Sequence, residues 1–193
     1  MGIDLYSRTM KCLTPRLRAG DLAGCETVAA DALRALPRSP FHIAADLAIT
    51  NDPVETARHF DEFYRAESER MSVRSVYTEM NGFDINPDRW FCDLFAYTAD
   101  GGLDDLDWLS DWQSELFEDV TITGLEPLQA VYASKAFRDP ANRPASDLSS
   151  LVVVTKFQRF MQRAAGRMRA LRGPLYVTAH DFDSIARLVP GEP

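Results

Sequence analysis

The segment from Val73 to Thr98, VRSVYTEMNGFDINPDRWFCDLFAYT, carries the densest β-strand signal of the chain. Two runs rich in β-branched and aromatic residues, 73–80 and 89–98, flank Asn81-Gly82 and Asn86-Pro87-Asp88. These turn residues supply a positive φ or preset the turn, so the segment predicts two antiparallel strands. Because side chains alternate along a strand, both faces of the second run are largely apolar. We therefore expect that strand in the middle of a sheet covered by helices.

Upstream of this hairpin the sequence predicts two capped helices and one strand. Asp21 precedes apolar residues at helical spacing, and Pro37 ends the run. A short helix that begins at Thr14-Pro15 is expected before it. Alternation over 41–49 predicts a strand, and Asp52-Pro53 predicts the cap and first turn of the next helix.

Downstream, the pattern predicts a short strand over 120–123, a helix that begins at Glu126, and the longest helix over 148–173. A last strand over 175–178 and a closing helix through 185–188 complete the chain. Within the long helix, Leu151–Val154 also has strand propensity. The prediction is a single α+β domain over residues 1–193, whose part over about 1–38 is helical. Its sheet is expected to be mixed and mostly antiparallel, with about five strands, and to pack with amphipathic helices.

The bulk properties narrow the classes of function. The formal net charge of −8 argues against a nucleic-acid binder, whose affinity rests on cations that meet phosphates. No apolar run is long enough for a signal peptide or a membrane span, and an odd total of three cysteines indicates reduced thiols. A cytoplasmic protein is expected.

A metal site and a cofactor are not expected. The turn around Asp84 is rich in oxygen-bearing side chains, but a calcium loop that starts there has Arg89 where glycine is required and Phe95 where glutamate is required. His42, His59 and His180 show no zinc-binding spacing. No phosphate-binding glycine loop or nucleophile motif is present.

The acidic segment, defined as residues 104–119, is the most biased stretch of the chain. It holds seven carboxylates and no base, interleaved with aromatic residues. Carboxylates steer a basic partner and desolvated aromatics anchor it, so the segment suggests a docking surface for a basic protein. The residues expected to bind the partner are Asp104, Asp105, Asp107, Trp108, Asp111, Trp112 and Glu115. The alternative is that Trp108, Trp112 and Phe117 belong to the core while the acids face water.

The favoured hypothesis is a non-catalytic, intracellular interaction module, one form of which is a regulatory or toxin-neutralising (immunity-type) inhibitor. The alternative is a small hydrolase or transferase that uses His180 with nearby carboxylates. No catalytic residue is predicted, and Cys92 is interpreted as a buried hydrophobe. The basic residues from Lys156 to Arg167 have three possible interpretations. Their side chains cover the edge of the core, they bind an anion, or they face the acidic segment within the fold.

Overall fold

A mixed five-stranded sheet and five α-helices form the described part of the chain, an α+β fold as predicted. The computed structural model describes residues 5–179 and 182–191. The helices are α1 (Leu5–Arg18), α2 (Leu22–Arg34), α3 (Pro53–Arg70), α4 (Glu126–Ala133) and α5 (Arg143–Ala165). The strands are β1 (Ser75–Asn81), β2 (Phe91–Tyr97), β3 (Val120–Thr121), β4 (Leu175–Ala179) and β5 (Ala186–Leu188). Short 3-10 helices span Pro40–Ala45, Asp107–Ser110 and Ala136–Arg138.

The strands are ordered β3-β2-β1-β4-β5 across the sheet. β1 and β4 are parallel and every other pair is antiparallel. The hairpin prediction is confirmed, since β1 and β2 pair in register with Tyr77 opposite Phe95 and Glu79 opposite Asp93. β2 has a neighbour on each side, although the central strand is β1.

One face of the sheet is covered by helices around the buried helix α5. This helix packs against α2, α3 and β4. Its segment Leu151–Val154 is helical and fully buried, so tertiary packing overrides its strand propensity. α5 is buried on most of its surface, which departs from the predicted amphipathic helix.

The other face of the sheet is covered by an irregular segment and not by helices. Tyr77, Tyr97 and Tyr176 form a second apolar cluster there with Ile185. The partly buried side chains that pack against this cluster from above are Leu103, Leu106, Trp108 and Leu109. The predicted cover of helices on both faces is therefore wrong for this side.

Two predicted helix caps are confirmed. Asp21 accepts a hydrogen bond from the Gly24 N–H at the start of α2, and Asp52 accepts one from the Val54 N–H at the start of α3. Pro15, however, lies inside α1 and does not open a separate helix.

Two predicted elements are wrong. The predicted strand over 41–49 begins as the 3-10 helix Pro40–Ala45, because Ser39 and His42 form a reciprocal cap around Pro40. The predicted closing helix over 185–188 is strand β5, which pairs with β4 and satisfies its backbone there.

Asp61 lies inside the fold, although the helical pattern of α3 places it toward water. The residue is 5% exposed, and its carboxylate accepts hydrogen bonds from the N–H groups of Arg169, Ala170 and Leu171 at 2.8, 2.8 and 3.1 Å. The carboxylate thus fixes the turn that follows α5 and leads into β4.

Candidate functional site

The acidic segment lies alongside β2, where the two-residue strand β3 leaves part of the strand edge without a partner. The Gln113 N–H donates to the Ala96 carbonyl at 3.1 Å, and the Ala96 N–H donates to the Ser114 hydroxyl at 3.0 Å. The Tyr97 hydroxyl donates to the Leu109 carbonyl at 2.8 Å. The segment is thus irregular in conformation but anchored to the sheet at several points.

Trp108 belongs to the second apolar cluster. Its ring packs edge-on against Tyr97 and Tyr176, with centroid distances of 4.7 and 5.2 Å. Its Nε1 donates to the Gly102 carbonyl at 3.1 Å. Phe117 likewise packs against Phe63 at 5.3 Å. These two aromatic side chains hold the acidic segment on the fold.

Trp112 and Leu116 are presented to solvent. The Trp112 side chain is 50% exposed and rests edge-on against Phe95 at 5.2 Å, while Leu116 is fully exposed. A contiguous exposed apolar patch with a polar rim is typical of an interaction surface. The segment thus has an inner aromatic side that packs and an outer side that offers one indole and one leucine.

The carboxylates of the segment fall into two groups. Asp104, Asp105, Asp107, Asp111 and Glu118 are exposed, and within the described chain no basic group lies within 4.0 Å of their carboxylates. Glu115 is exposed but pairs with Arg70 at 3.0 Å, and its N–H donates to the Glu67 carboxylate at 3.3 Å. Asp119 pairs with Arg89.

A further pair of acids, which the sequence analysis did not assign to the site, extends the negative surface onto the sheet. Glu79 and Asp93 stand directly opposite each other on β1 and β2. Burial, followed by the charges of Asp119 and Glu79, raises the pKa of Asp93 above its usual value, while Asn81 donates to its carboxylate at 2.6 Å. The turn residues set the register of the hairpin, and side chains alternate along each strand. Together these two sequence features would have placed Glu79 and Asp93 on the same face of the sheet.

The other sequence candidates occupy structural positions. Cys92 is fully buried, and burial raises the pKa of its thiol to about 12, so it is not an activated nucleophile. Lys156 and Arg159 pair with Glu26 of α2 at 3.4 and 2.8 Å, so these two basic groups do not face the acidic segment. His180 lies outside the described residues.

No cluster that could hold a metal ion occurs among the described residues, including the oxygen-rich turn. In that turn Asn81 is hydrogen-bonded to Asp93, and Glu79 accepts from the Tyr77 hydroxyl at 2.6 Å. His42 completes the cap of the first 3-10 helix, and the His59 ring contacts the Glu118 carbonyl at 2.7 Å. These contacts account for the side chains as parts of the fold.

Comparison with models of known protein families, with curated proteins and with solved structures finds no match to this chain. Within 5–179 and 182–191, none of the helices has the length and apolar character needed to cross a membrane. Any function must therefore be argued from the geometry of the chain itself.

Proposed function

We propose that this protein is a non-catalytic interaction module that binds a basic protein partner through the acidic segment. The observation that carries the proposal is that Trp112 and Leu116 are exposed on the same segment as four exposed aspartates, Asp104, Asp105, Asp107 and Asp111, that lack a basic partner within the described chain. A regulatory or toxin-neutralising inhibitor is the concrete form that we favour, because the partners of such inhibitors are often basic proteins.

The carboxylates and the exposed apolar side chains contribute to different steps of binding. The unpaired carboxylates raise the association rate of a cationic partner at low ionic strength. Trp112 supplies a large, rigid apolar surface of the type that anchors interfaces once water is excluded. Because the acidic segment is anchored to β2, it has less conformational entropy to lose when a partner binds.

The surface acids on β1 and β2 add to the same field. Asp93 lies beside the acidic segment, and the negative charge of Asp119, the last residue of that segment, contributes to the raised pKa of Asp93. Arg89 neutralises part of this charge through its pair with Asp119, and its guanidinium stacks over Phe91 at 4.9 Å. A partner that brings further guanidinium or ammonium groups would relieve the remaining repulsion.

The test is an affinity capture from a lysate of the source cell at low and moderate salt, followed by direct titration of the captured protein. The test variant carries Asp104, Asp105, Asp107 and Asp111 all changed to Asn, because none of the four has a basic partner within the described structure. A second variant is Trp112→Ala. We expect both to weaken binding by at least about tenfold, and the affinity for the wild type to fall with salt.

A matched control changes four exposed acids outside the segment, Asp31, Asp46, Glu62 and Glu69, to their amides. The control has the same net charge as the four-Asn variant, so a general charge effect would weaken both equally. Retention of the partner by the four-Asn variant, or equal loss in the control, would reject the acidic segment as the binding surface.

A further inference from the structure

The connection between α5 and β4 carries positive charge that the fold does not balance. The arginine turn is defined as residues 163–173, from the last turn of α5 to Gly173. No acidic residue occurs between Asp147 and Asp181 in the sequence. Four arginines of the turn are exposed, and none of them forms an ion pair within 4.0 Å with a described residue. They are Arg163, Arg167, Arg169 and Arg172.

The backbone of the arginine turn is fixed from below. The buried carboxylate of Asp61 accepts hydrogen bonds from the N–H groups of residues 169–171. Met168 and Leu171 are 2% and 3% exposed and hold the turn on the core. The arginines alternate with these buried residues and face solvent. Because the backbone is already ordered, binding at this surface orders side chains alone.

The helix dipole accounts for one of these arginines. Arg163 lies in the last turn of α5, where a cation is favourable, and its guanidinium lies over the Phe160 ring at 5.9 Å. The other three arginines follow the end of the helix, and the dipole effect falls off within the last turn. No ion pair within the described chain accounts for these three side chains.

The complementary surface is present on the same chain. The acidic segment carries four exposed aspartates without a basic partner in the described structure, and beside them the half-exposed indole of Trp112. Guanidinium groups bind carboxylates through paired hydrogen bonds and stack on aromatic rings. The fold contains one such arrangement, since Arg89 pairs with Asp119 and lies over the Phe91 ring at 4.9 Å. A second copy of the chain therefore offers each surface the charge that its own copy does not supply.

A short acidic segment suits the arginine turn better than a nucleic acid does. A phosphate polymer carries negative charge along its whole length, so it would extend beyond the turn over a molecule whose formal net charge is −8. The acidic segment concentrates its charge within 16 residues, 104–119. It can meet the turn without bringing further phosphates onto the negative surface.

We propose that copies of this chain associate head to tail, with the arginine turn of one copy bound to the acidic segment of the next. The inference rests on the proposed function, because it concerns the same acidic segment, and it adds a regulation of that segment. The second copy covers the segment until a basic partner displaces it. The contact is heterologous, so it can repeat from copy to copy, and it weakens as salt screens the charges.

The test is sedimentation equilibrium of the full chain. Concentrations run from about 20 µM to about 1 mM, in about 20 mM and about 300 mM sodium chloride. We expect the average mass to rise with protein concentration at the lower salt, and the association constant to fall at least about tenfold at the higher salt.

Two variants each remove one side of the contact. The four-Asn variant neutralises the acidic segment, and a four-Gln variant changes the four arginines of the turn to Gln. We expect at least about tenfold weaker association in each, while circular dichroism and urea denaturation show an intact fold. A control with the same net charge as the four-Gln variant should keep most of its affinity. It changes four exposed basic residues outside the turn to Gln, namely Lys11, Arg18, Arg38 and Arg138.

An equimolar mixture of the two variants tests the pairing directly. The four-Asn variant keeps the arginine turn, and the four-Gln variant keeps the acidic segment. Their mixture should therefore form a one-to-one complex that neither variant forms alone, and that complex should not grow into longer assemblies. Both variants remain negatively charged overall, so a general attraction between them does not explain such a complex.

A wild type that stays monomeric at about 1 mM and low salt overturns the proposal, as does equal loss of association in the control or a mixture without a complex. If that monomeric wild type still binds a basic partner through the acidic segment, the proposed function stands and only the self-association is rejected. A titration with double-stranded DNA of about 20 base pairs completes the test. DNA binding that the four-Gln variant loses, together with a monomeric wild type, would assign the turn to nucleic acid and also overturn the proposal.

Discussion

At the scale of single residues, the buried Asp61 contributes most clearly to stability. Asp61→Ala removes the acceptor of three backbone N–H groups and leaves them without a partner in a turn that the carboxylate orders. We expect this change to lower the free energy of unfolding by about 2–3 kcal/mol, measured by urea denaturation. The exposed neighbour Glu62, changed to Ala, is the control and should cost less than about 0.5 kcal/mol. Equal losses would contradict the assigned role.

Asp93 gives a prediction about pH. Burial and the charges of Asp119 and Glu79 raise its pKa in the folded state. The folded protein therefore binds the proton more strongly than the unfolded chain does. This site favours folding below the unfolded pKa of about 3.9, and that contribution is lost as pH rises through the folded pKa.

Asp93→Asn removes the ionisation and keeps an oxygen that can accept from Asn81. We expect the variant to be more stable than the wild type at pH 7, and the difference to shrink as the pH is lowered toward 4. Urea denaturation at the two pH values measures it. A variant that is less stable than the wild type at pH 7 would show that the carboxylate charge is favourable in the fold.

At the scale of elements, the acidic segment combines a packing role with an exposed surface, and its two tryptophans separate these roles. Trp108 lies between Tyr97 and Tyr176, so Trp108→Ala should lower the free energy of unfolding by about 2 kcal/mol. Trp112 is half exposed, and Trp112→Ala should cost less than about 1 kcal/mol. Thermal or urea denaturation compares the two. Similar costs would mean that the segment packs through both indoles.

The elements that could be predicted from the sequence are those whose signals are local. The hairpin of β1 and β2 follows from its turn residues, and the starts of α2 and α3 follow from Asp21 and Asp52. The 3-10 helix Pro40–Ala45 was missed because its alternating apolar pattern resembles a strand, while the deciding signal is the cap at Ser39. β5 was missed because its pairing with β4 is a tertiary contact.

The candidate sites were predictable only in part, for the same reason. Composition locates the acidic segment, but only the packing on Tyr97 and Tyr176 distinguishes Trp108 from Trp112. A cleft at the amino end of α5 is lined by residues from separate stretches of chain, such as Tyr6, Asp84 and Phe182. No local pattern joins these residues, so no sequence motif indicates the cleft.

At the scale of the whole molecule, negative charge is concentrated where the fold does not neutralise it. The formal net charge is −8, and the acidic segment alone has seven carboxylates and no base. Like charges held close together repel, and this repulsion is larger in the folded chain than in the expanded unfolded chain. Charged side chains that lower the stability of the fold and have no partner within it are typical of surfaces that serve a function.

The four-Asn variant of Asp104, Asp105, Asp107 and Asp111 tests this argument without any partner. Because these side chains have no basic partner in the described structure, their neutralisation should leave the fold intact and raise the free energy of unfolding by up to about 1 kcal/mol at low salt. The gain should fall as salt screens the repulsion, which urea denaturation at several ionic strengths measures. A loss of stability would show that the carboxylates contribute to the fold, and the reason to assign them to a partner would disappear.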